Sequence, residues 1–256
     1  MLIDTHCHLT NEFFQDIDKI IENAKNNGVK RYISASDSVL SARETILLGQ
    51  KYEDVYIALG IHPENCFDSL EEMTKILEEN WNNPKLVAIG EIGLDYYYGK
   101  ENKQRQIEVF EYQLSLAEKY KLPVVVHSRE ATLDTINSIK KYNVKGVMHC
   151  FSGSLETARE LINMGFFIGV GGVMTFKNSK IDQIIKDIPL EKIVLETDAP
   201  FLTPDPYRKF KNEPKYIRII AEYLAELKHI DITEVENITT DNVFKIFSIS
   251  LHLYCN

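Results

Sequence analysis

Val124-Val125-Val126-His127 comes shortly after an amphipathic stretch, Lys103 to Tyr120, and the two together give the unit from which the chain is built. Three consecutive β-branched residues with no polar interruption read as a strand buried on both faces, as in a parallel sheet. In the stretch before them, Ile107, Phe110, Leu114 and Ala117 recur at helical spacing and share one face. Working outward, the alternation returns in both directions. Ile193-Val194-Leu195 is a second uninterrupted run, and Asp16 to Asn27 is a second helical stretch with Ile17, Ile20, Ile21 and Ala24 on one side. Candidate strands begin near Leu2, Arg31, Val55, Leu86, Val124, Gly146, Phe166 and Ile193. After the last of them, Glu213 to Lys228 and Thr233 to Ser248 read as two further helices.

No Pro/Gly/Ser linker, low-complexity tract or sequence repeat divides the 256 residues. Eight strand–helix alternations in one undivided chain place it in the α/β class and predict a TIM-like (β/α)8 barrel, one domain over residues 1–256. A doubly wound open sheet is the alternative. Against it, no GxGxxG follows the first strand, where such a fold carries its phosphate loop.

The hydrophobic fraction of 44% suits a soluble protein with one sizeable core. A net charge of −9 argues against a general electrostatic grip on nucleic acid. Bound metal and a local basic patch can still override that balance at one site. The opening Met-Leu-Ile-Asp-Thr-His has no basic region ahead of an apolar one, so no signal peptide is expected. No apolar run approaches the roughly 20 residues that span a bilayer. Cys7, Cys66, Cys150 and Cys255 are scattered without CxxC spacing, which fits reduced thiols. A cytoplasmic location without membrane association is therefore expected, and no obligate protein partner is implied.

The unusual residues fall at the strand ends. His6 and His8 end the first run, Glu91 the fourth, His127 the fifth, His149 the sixth and Asp198 the eighth, while His62 follows the third. In a parallel barrel all these ends open on one face, where such folds place their chemistry. Residues two apart on a strand share a side, so His6 and His8 both face the axis while Cys7 points away. Imidazoles and carboxylates together are the ligand set of zinc, and manganese or iron also accept it. Taken singly, each residue is equally well explained as a helix cap or a histidine bonded to a carbonyl. Taken together they are not, because each unpaired polar group buried at one mouth costs about 2–7 kcal/mol. Six candidate ligands exceed the need of one tetrahedral ion. Two divalent ions (Zn, Mg or Mn) bridged by Glu91 are the economical reading.

These residues sit in a series of motifs: Asp4-Thr-His-Cys-His8-Leu, Gly60-Ile-His-Pro63, Gly90-Glu-Ile-Gly-Leu-Asp-Tyr-Tyr97, Val126-His-Ser-Arg-Glu130, His149-Cys-Phe-Ser-Gly153 and Glu196-Thr-Asp-Ala-Pro200. Their order and spacing resemble the TatD-like deoxyribonuclease family of amidohydrolase-type barrels, from Leu2 to at least the final helices. The resemblance implies a two-metal barrel that hydrolyses phosphodiesters of DNA, as a 3′–5′ exonuclease on single-stranded ends. It implies that His6, His8 and Asp198 bind one ion, that His127 and His149 bind the other, and that Glu91 bridges them. Divalent ions at such a site lower the pKa of water and neutralise phosphoryl charge. Asp198 is then the expected general base.

Around this centre, His62 is a spare imidazole placed to contact phosphate or protonate the leaving group. Its plain alternative is a loop histidine bonded to a carbonyl. Arg129, two residues after His127, offers a bidentate fork to phosphate, with a salt bridge to Asp95 as the structural alternative. Asp4 shares a strand face with His6 and is placed to orient a ligand imidazole. Tyr96, Tyr97, Tyr98 and Phe201 are available for base stacking, although rim aromatics also serve as packing. After the eighth strand the family's basic Arg-Gly-Lys-Arg-Asn-Glu-Pro run is replaced by Arg208-Lys-Phe-Lys-Asn-Glu-Pro214. Lys209 and Lys211 keep positive charge but lose the glycine's turn freedom and a planar guanidinium. Arg208 and Lys209 are nonetheless expected to reach substrate. Cys7 and Cys150 read as core thiols. Two other functions are compatible with the ligands: hydrolysis of an amide, lactone or ester on the same barrel, and a non-catalytic nucleic-acid-binding barrel.

Overall fold

Strands and helices alternate through residues 1–249, the residues described by the computed structural model. The strands are β1 (Leu2–Cys7), β2 (Val29–Ala35), β3 (Val55–Leu59), β4 (Leu86–Asp95), β5 (Val124–Arg129), β6 (Gly146–Met148), β7 (Phe167–Val170) and β8 (Ile193–Leu195). The helices are α1 (Ile17–Asn26), α2 (Val39–Lys51), α3 (Leu70–Asn80), α4 (Lys103–Tyr120), α5 (Thr132–Ile139), α6 (Leu155–Asn163), α7 (Ile181–Asp187), α8 (Ile217–Lys228) and α9 (Ile232–Ile246). Each strand pairs in parallel with the next in chain order. The first and last then meet. Cys7 bridges Ala199, the His8 N–H donates to the Ala199 carbonyl at 2.7 Å, and the Asp198 N–H donates to the His6 carbonyl at 2.9 Å. Sequential order with joined ends is a TIM (β/α)8 barrel; an open doubly wound sheet is excluded.

Local sequence explains the helix limits. Asp16, Ser38, Ser69, Ser154 and Asp231 each cap a helix by accepting a backbone N–H from the first turn, and Ser38 and Ser41 do so reciprocally in α2. The Lys103–Tyr120 helix has the expected bounds, and Lys121 ends it in the left-handed conformation at φ 56°. Helix α8 starts at Ile217 rather than Glu213, because Pro214 opens a single 3₁₀ turn ahead of it.

The strand alternation separates two cores. Val124, Val126, Ile193 and Leu195 face the helices. Val125, Val147, Phe167 and Val194 fill the barrel interior, with Val243, Ile246 and Phe247 from the end of α9 packed beneath them. The bottom of the barrel is therefore closed by apolar side chains. The other end is where the strands deliver polar ones. No helix among the described residues is long and apolar enough to cross a membrane.

A candidate metal centre at the barrel mouth

Period-two alternation carries the interior face of β5 from Val125 to His127, at the open end of the barrel. His149 follows β6 directly, His6 lies in β1 with His8 just beyond it, and Asp198 stands three residues past β8. Asp198 takes a left-handed backbone at φ 57°, a conformation that aspartate tolerates better than most residues. Glu91 departs from expectation. It lies inside β4 rather than at its end, because β4 and β5 pair onward past the mouth as far as Asp95 and Arg129. The ladders shift register between Asp4 and Cys7 and between Ile89 and Ile92. Those irregularities fall at His6 and Glu91, where a bulge re-aims a side chain.

The Glu91 carboxylate organises the cluster. Its Oε2 lies 3.2 Å from His6 Nε2 and 3.5 Å from His8 Nε2. Its Oε1 lies 3.0 Å from His127 Nδ1, 2.9 Å from His149 Nε2 and 3.6 Å from His62 Nε2. Asp198 joins the first group, with Oδ1 at 3.6 Å from His6 Nε2 and 3.7 Å from His8 Nε2. Three overlapping sets hold their donor atoms within 4.8 Å of one another: His6, His149 and Asp198; His6, His8 and Glu91; and His62, Glu91 and His127. Nitrogen and carboxylate donors at such separations fit divalent transition ions.

The far ring nitrogens of His8 and His127 are held as metal-binding histidines require, whereas the buried His6 Nδ1 has no hydrogen-bond partner among the described residues. His8 Nδ1 meets the Ala35 carbonyl at 3.1 Å. His127 Nε2 meets Asp95 Oδ2 at 3.1 Å, and Asp95 Oδ1 accepts the Tyr97 and Tyr98 N–H groups. His149 Nδ1 lies 3.4 Å from Glu196 Oε1, an ion-pair distance without hydrogen-bond alignment. Glu196 is fully buried and accepts the Cys150 N–H through the same oxygen. Gly169 makes room for it, since a Cβ there would stand 2.6 Å from Glu196 Oε2. Sequence reading gave neither Glu196 nor Asp95 a supporting role. The signal for Glu196 was its spacing of two from Asp198, the same spacing as in His6-Cys7-His8. Asp4 needs a correction. It meets no imidazole but accepts the backbone N–H and hydroxyl of Thr197 and the His6 N–H, so it fixes backbone rather than a ring.

The charges show what the cluster lacks. Burial alone would raise the Glu91 carboxyl, but His149, His6 and His62 outweigh it and hold it well below the usual range. Burial likewise pulls His149 down, yet the Glu91 and Glu196 carboxylates lift it well above an ordinary histidine. His8 and His127 are raised in the same way against burial, the first by Asp198 and Glu91, the second by Asp95 and Glu91. The buried carboxylates draw positive charge into the mouth, and divalent cations supply more of it than protons.

His62 is different. Burial lowers its pKa to about 4, and its Nδ1 accepts the Glu64 N–H at 3.2 Å. The ring is therefore neutral with its hydrogen on Nε2, facing the cluster as a donor. It opens onto a cavity of about 730 Å³ that Arg129 also lines. Arg129 makes no salt bridge to Asp95; its guanidinium lies 3.9 Å from the Tyr97 ring centre and 4.9 Å from that of Tyr98. Tyr97, Tyr98 and Phe201 are about half exposed at 54%, 60% and 48%, whereas Tyr96 is buried with its hydroxyl on Asp134 and serves packing. Arg208 and Lys209 do not line the cavity. Arg208 is held over the Phe176 ring and on the Thr203 carbonyl, and Lys209 lies exposed in the same loop. Cys7 is a buried thiol facing the outer core, as expected, and Cys150 is part-buried beside Glu196. Cys255 lies outside the described residues.

Comparison with known proteins gives a consistent result. Residues 3–248 match the family described as TatD related DNase. The chain is 40% identical to the uncharacterized metal-dependent hydrolase YabD of Bacillus subtilis, covering 98% of this chain and 100% of that protein. It is 33% identical to human deoxyribonuclease TATDN3 over 98% of this chain and 96% of that protein. Among solved structures, the TatD homolog YJJV from Escherichia coli superposes with a TM-score of 0.91 at 30% identity, covering 97% of this chain and 98% of that one.

Proposed function

Because the chain belongs to the TatD related DNase family of metal-dependent hydrolases, we propose that it hydrolyses DNA phosphodiester bonds as a 3′–5′ exonuclease on single-stranded ends. His6, His8 and Asp198 would hold one divalent ion and His127 and His149 a second, with Glu91 shared between them; Zn, Mg and Mn are the candidates. The observation that carries this assignment is the division of the ligands between the two oxygens of Glu91, His6 and His8 on Oε2, His127 and His149 on Oε1. Such ions, when bound, lower the pKa of water and neutralise charge on phosphoryl oxygens.

The remaining steps belong to side chains. Asp198 receives the proton of the attacking water and gives it to the sugar oxygen that leaves as the phosphorus–oxygen bond breaks. The neutral His62 donates its Nε2–H to a non-bridging phosphoryl oxygen, which its lowered pKa favours over delivery of a proton to the leaving sugar hydroxyl. Arg129, braced on Tyr97 and Tyr98, offers charge to the phosphate on one side of the mouth. Tyr98 and Phe201 offer ring faces to unstacked bases. This cationic and aromatic lining supports a nucleic-acid phosphodiester over an amide, lactone or ester, which needs no cation beside the ions. A net charge of −9 predicts that binding is confined to this mouth.

The test is digestion of 3′- and 5′-end-labelled single-stranded DNA with added Mg²⁺, Mn²⁺ or Zn²⁺. A metal-dependent ladder shortening from the 3′ end is expected. The absence of cleavage with all three ions refutes the proposal.

A further inference from the structure

Helix α4 buries an apolar face that includes Val109, Phe110, Leu114 and Ala117, yet Gln106 and Gln113 are buried as deeply. Their spacing puts them about two turns apart on one side of the helix. A side-chain amide taken from water costs free energy unless its donor and its acceptor both find partners. Each of these amides finds them on the main chain of one barrel residue. Gln113 Oε1 accepts the Ile61 N–H at 2.7 Å, and its Nε2 donates to the Ile61 carbonyl at 3.0 Å. Gln106 Oε1 accepts the Asp95 N–H at 2.8 Å, and its Nε2 donates to the Asp95 and Gly99 carbonyls, each at 2.9 Å. An amide bonded to both main-chain groups of one residue does what a neighbouring strand would do. The sheet leaves such places open, because the β3–β4 ladder ends at the Leu59–Ile89 pair.

The residues held in this way adjoin the site. Ile61 precedes His62, and the peptide between them is fixed on both sides. Gln113 takes its carbonyl, and the Asp37 carbonyl takes its N–H at 2.8 Å. Asp95 meets His127 Nε2, and the peptide that follows Asp95 is fixed likewise. Gln106 takes its carbonyl, and the Arg129 carbonyl takes the Tyr96 N–H at 2.9 Å. Gln106 also ties Asp95 to Gly99, the two ends of the turn that sets Tyr97 and Tyr98 against Arg129. We propose that Gln106 and Gln113 are positioning residues with separate tasks: Gln106 sets the Asp95 carboxylate that orients His127 for its ion, and Gln113 sets the peptide that aims His62 at the phosphate. Neither glutamine is among the residues that line the mouth, so each acts through the main chain. The assignment rests on the two-ion, DNA-cleaving reading of the site.

The experiment replaces each glutamine by methionine, an unbranched side chain of similar length that makes neither bond. Two quantities are read: Mn²⁺ affinity of the chelator-treated protein by calorimetry, and kcat and KM on end-labelled single-stranded DNA over a range of Mn²⁺. Gln106→Met is expected to weaken ion affinity about tenfold, as when a partner behind a metal ligand is disturbed, with kcat restored by excess ion. Gln113→Met is expected to keep the parent's ion affinity and to lose about tenfold or more in kcat, because a misplaced reacting group is costly. Excess ion should not restore it. A purely structural role lowers Tm in both variants and does not divide the readouts in this way. Gln106→Glu and Gln113→Glu supply a carboxyl that burial keeps neutral, able to accept and to donate as the amide does. Each should return the affected quantity towards the parent. If a methionine variant does not fold, Gln106→Asn or Gln113→Asn, which keeps a buried amide one methylene short of the peptide, is measured with the same division expected. Parent-like affinity and kcat in a folded variant removes that glutamine from the site, and the same change in both variants overturns the proposal outright. If the parent cleaves no DNA, the nuclease reading falls and takes the Gln113 assignment with it, while the Mn²⁺ titration still decides Gln106.

Discussion

The Asp4 carboxylate accepts both the backbone N–H of Thr197, at 2.9 Å, and its hydroxyl, at 2.5 Å. These residues join the first strand to the segment after the last, where a single bridge rather than a ladder closes the barrel. They also stand directly behind two candidate ligands, since Asp4 accepts the His6 N–H as well and Thr197 precedes Asp198. The closure of the barrel and the placing of the ligands are one arrangement. Burial pushes the Asp4 carboxyl up to about 8, so each donor that reaches it matters.

Thr197→Val keeps the shape and removes the hydroxyl. Leaving a buried acceptor short of a partner costs about 1–3 kcal/mol, and each kcal/mol lowers Tm by roughly 2–4 °C in a chain of this size. Thermal denaturation should show that fall, and Thr197→Ser should recover most of it. Divalent-ion affinity measured by calorimetry should drop with Val and return with Ser. An unchanged Tm in Thr197→Val would show that the seam is held elsewhere.

Glu196 presents the same logic on the other side of the site. It stands behind His149, fully buried, with no route to substrate. Glu196→Ala removes the carboxylate that lies 3.4 Å from His149 Nδ1 and accepts the Cys150 N–H. Loss of such outer partners typically weakens metal binding or activity about 10- to 100-fold. The weakening should appear in ion affinity, and raising the ion concentration should restore turnover. Failure of excess ion to rescue it would mean that Glu196 only supports the fold.

The barrel was legible because its strands are runs of β-branched residues between helical periods. Misplaced limits arose where charge interrupts a run. Strand β2 begins at Val29, two residues ahead of the expected Arg31, because Lys30 sits exposed in a strand whose Arg31 is buried. Strand β4 continues beyond Glu91 because its polar end is paired with β5 above the mouth, a contact across 34 residues of sequence that no local pattern contains. The site residues stood out as polar side chains at apolar run ends. What the sequence left hidden was relational. Glu196 and Asp95 gain roles only from the neighbours that β6 and β5 bring to them. Arg208 is held over the Phe176 ring and on the Thr203 carbonyl, contacts that its charge alone does not announce.

Arg129 separates charge from shape. Its guanidinium lies over Tyr97, a contact that a lysine ammonium reproduces poorly. If Arg129 neutralises one phosphate, Arg129→Ala should weaken single-stranded DNA binding and reduce the slope of log K against log salt by about 0.7. Arg129→Lys should keep the slope and lose affinity. Fluorescence anisotropy over a salt series, in the Asp198→Asn background that the proposed mechanism makes inert, measures both. Equal slopes in the parent and Arg129→Ala would remove Arg129 from the phosphate path.

Removing the ions tests the centre as a whole. Glu91 lies within 3.6 Å of five imidazole nitrogens in a mouth that is almost sealed from solvent on the Glu91 side. Without cations these groups depend on shared protons; with them, the folded state gains a ligand that the unfolded chain binds poorly. A ligand at 100 times its Kd stabilises by about 2.7 kcal/mol, which corresponds to a Tm rise of roughly 5–11 °C. Chelation should therefore lower Tm, and titration with Zn²⁺ or Mn²⁺ should restore it. Glu91→Gln removes the charge that both ligand sets face. Elemental analysis should find fewer ions per chain in that variant, and the ion-induced rise in Tm should shrink. Retention of the parent's ion content by Glu91→Gln would rule out Glu91 as the shared ligand while leaving the histidines as candidates.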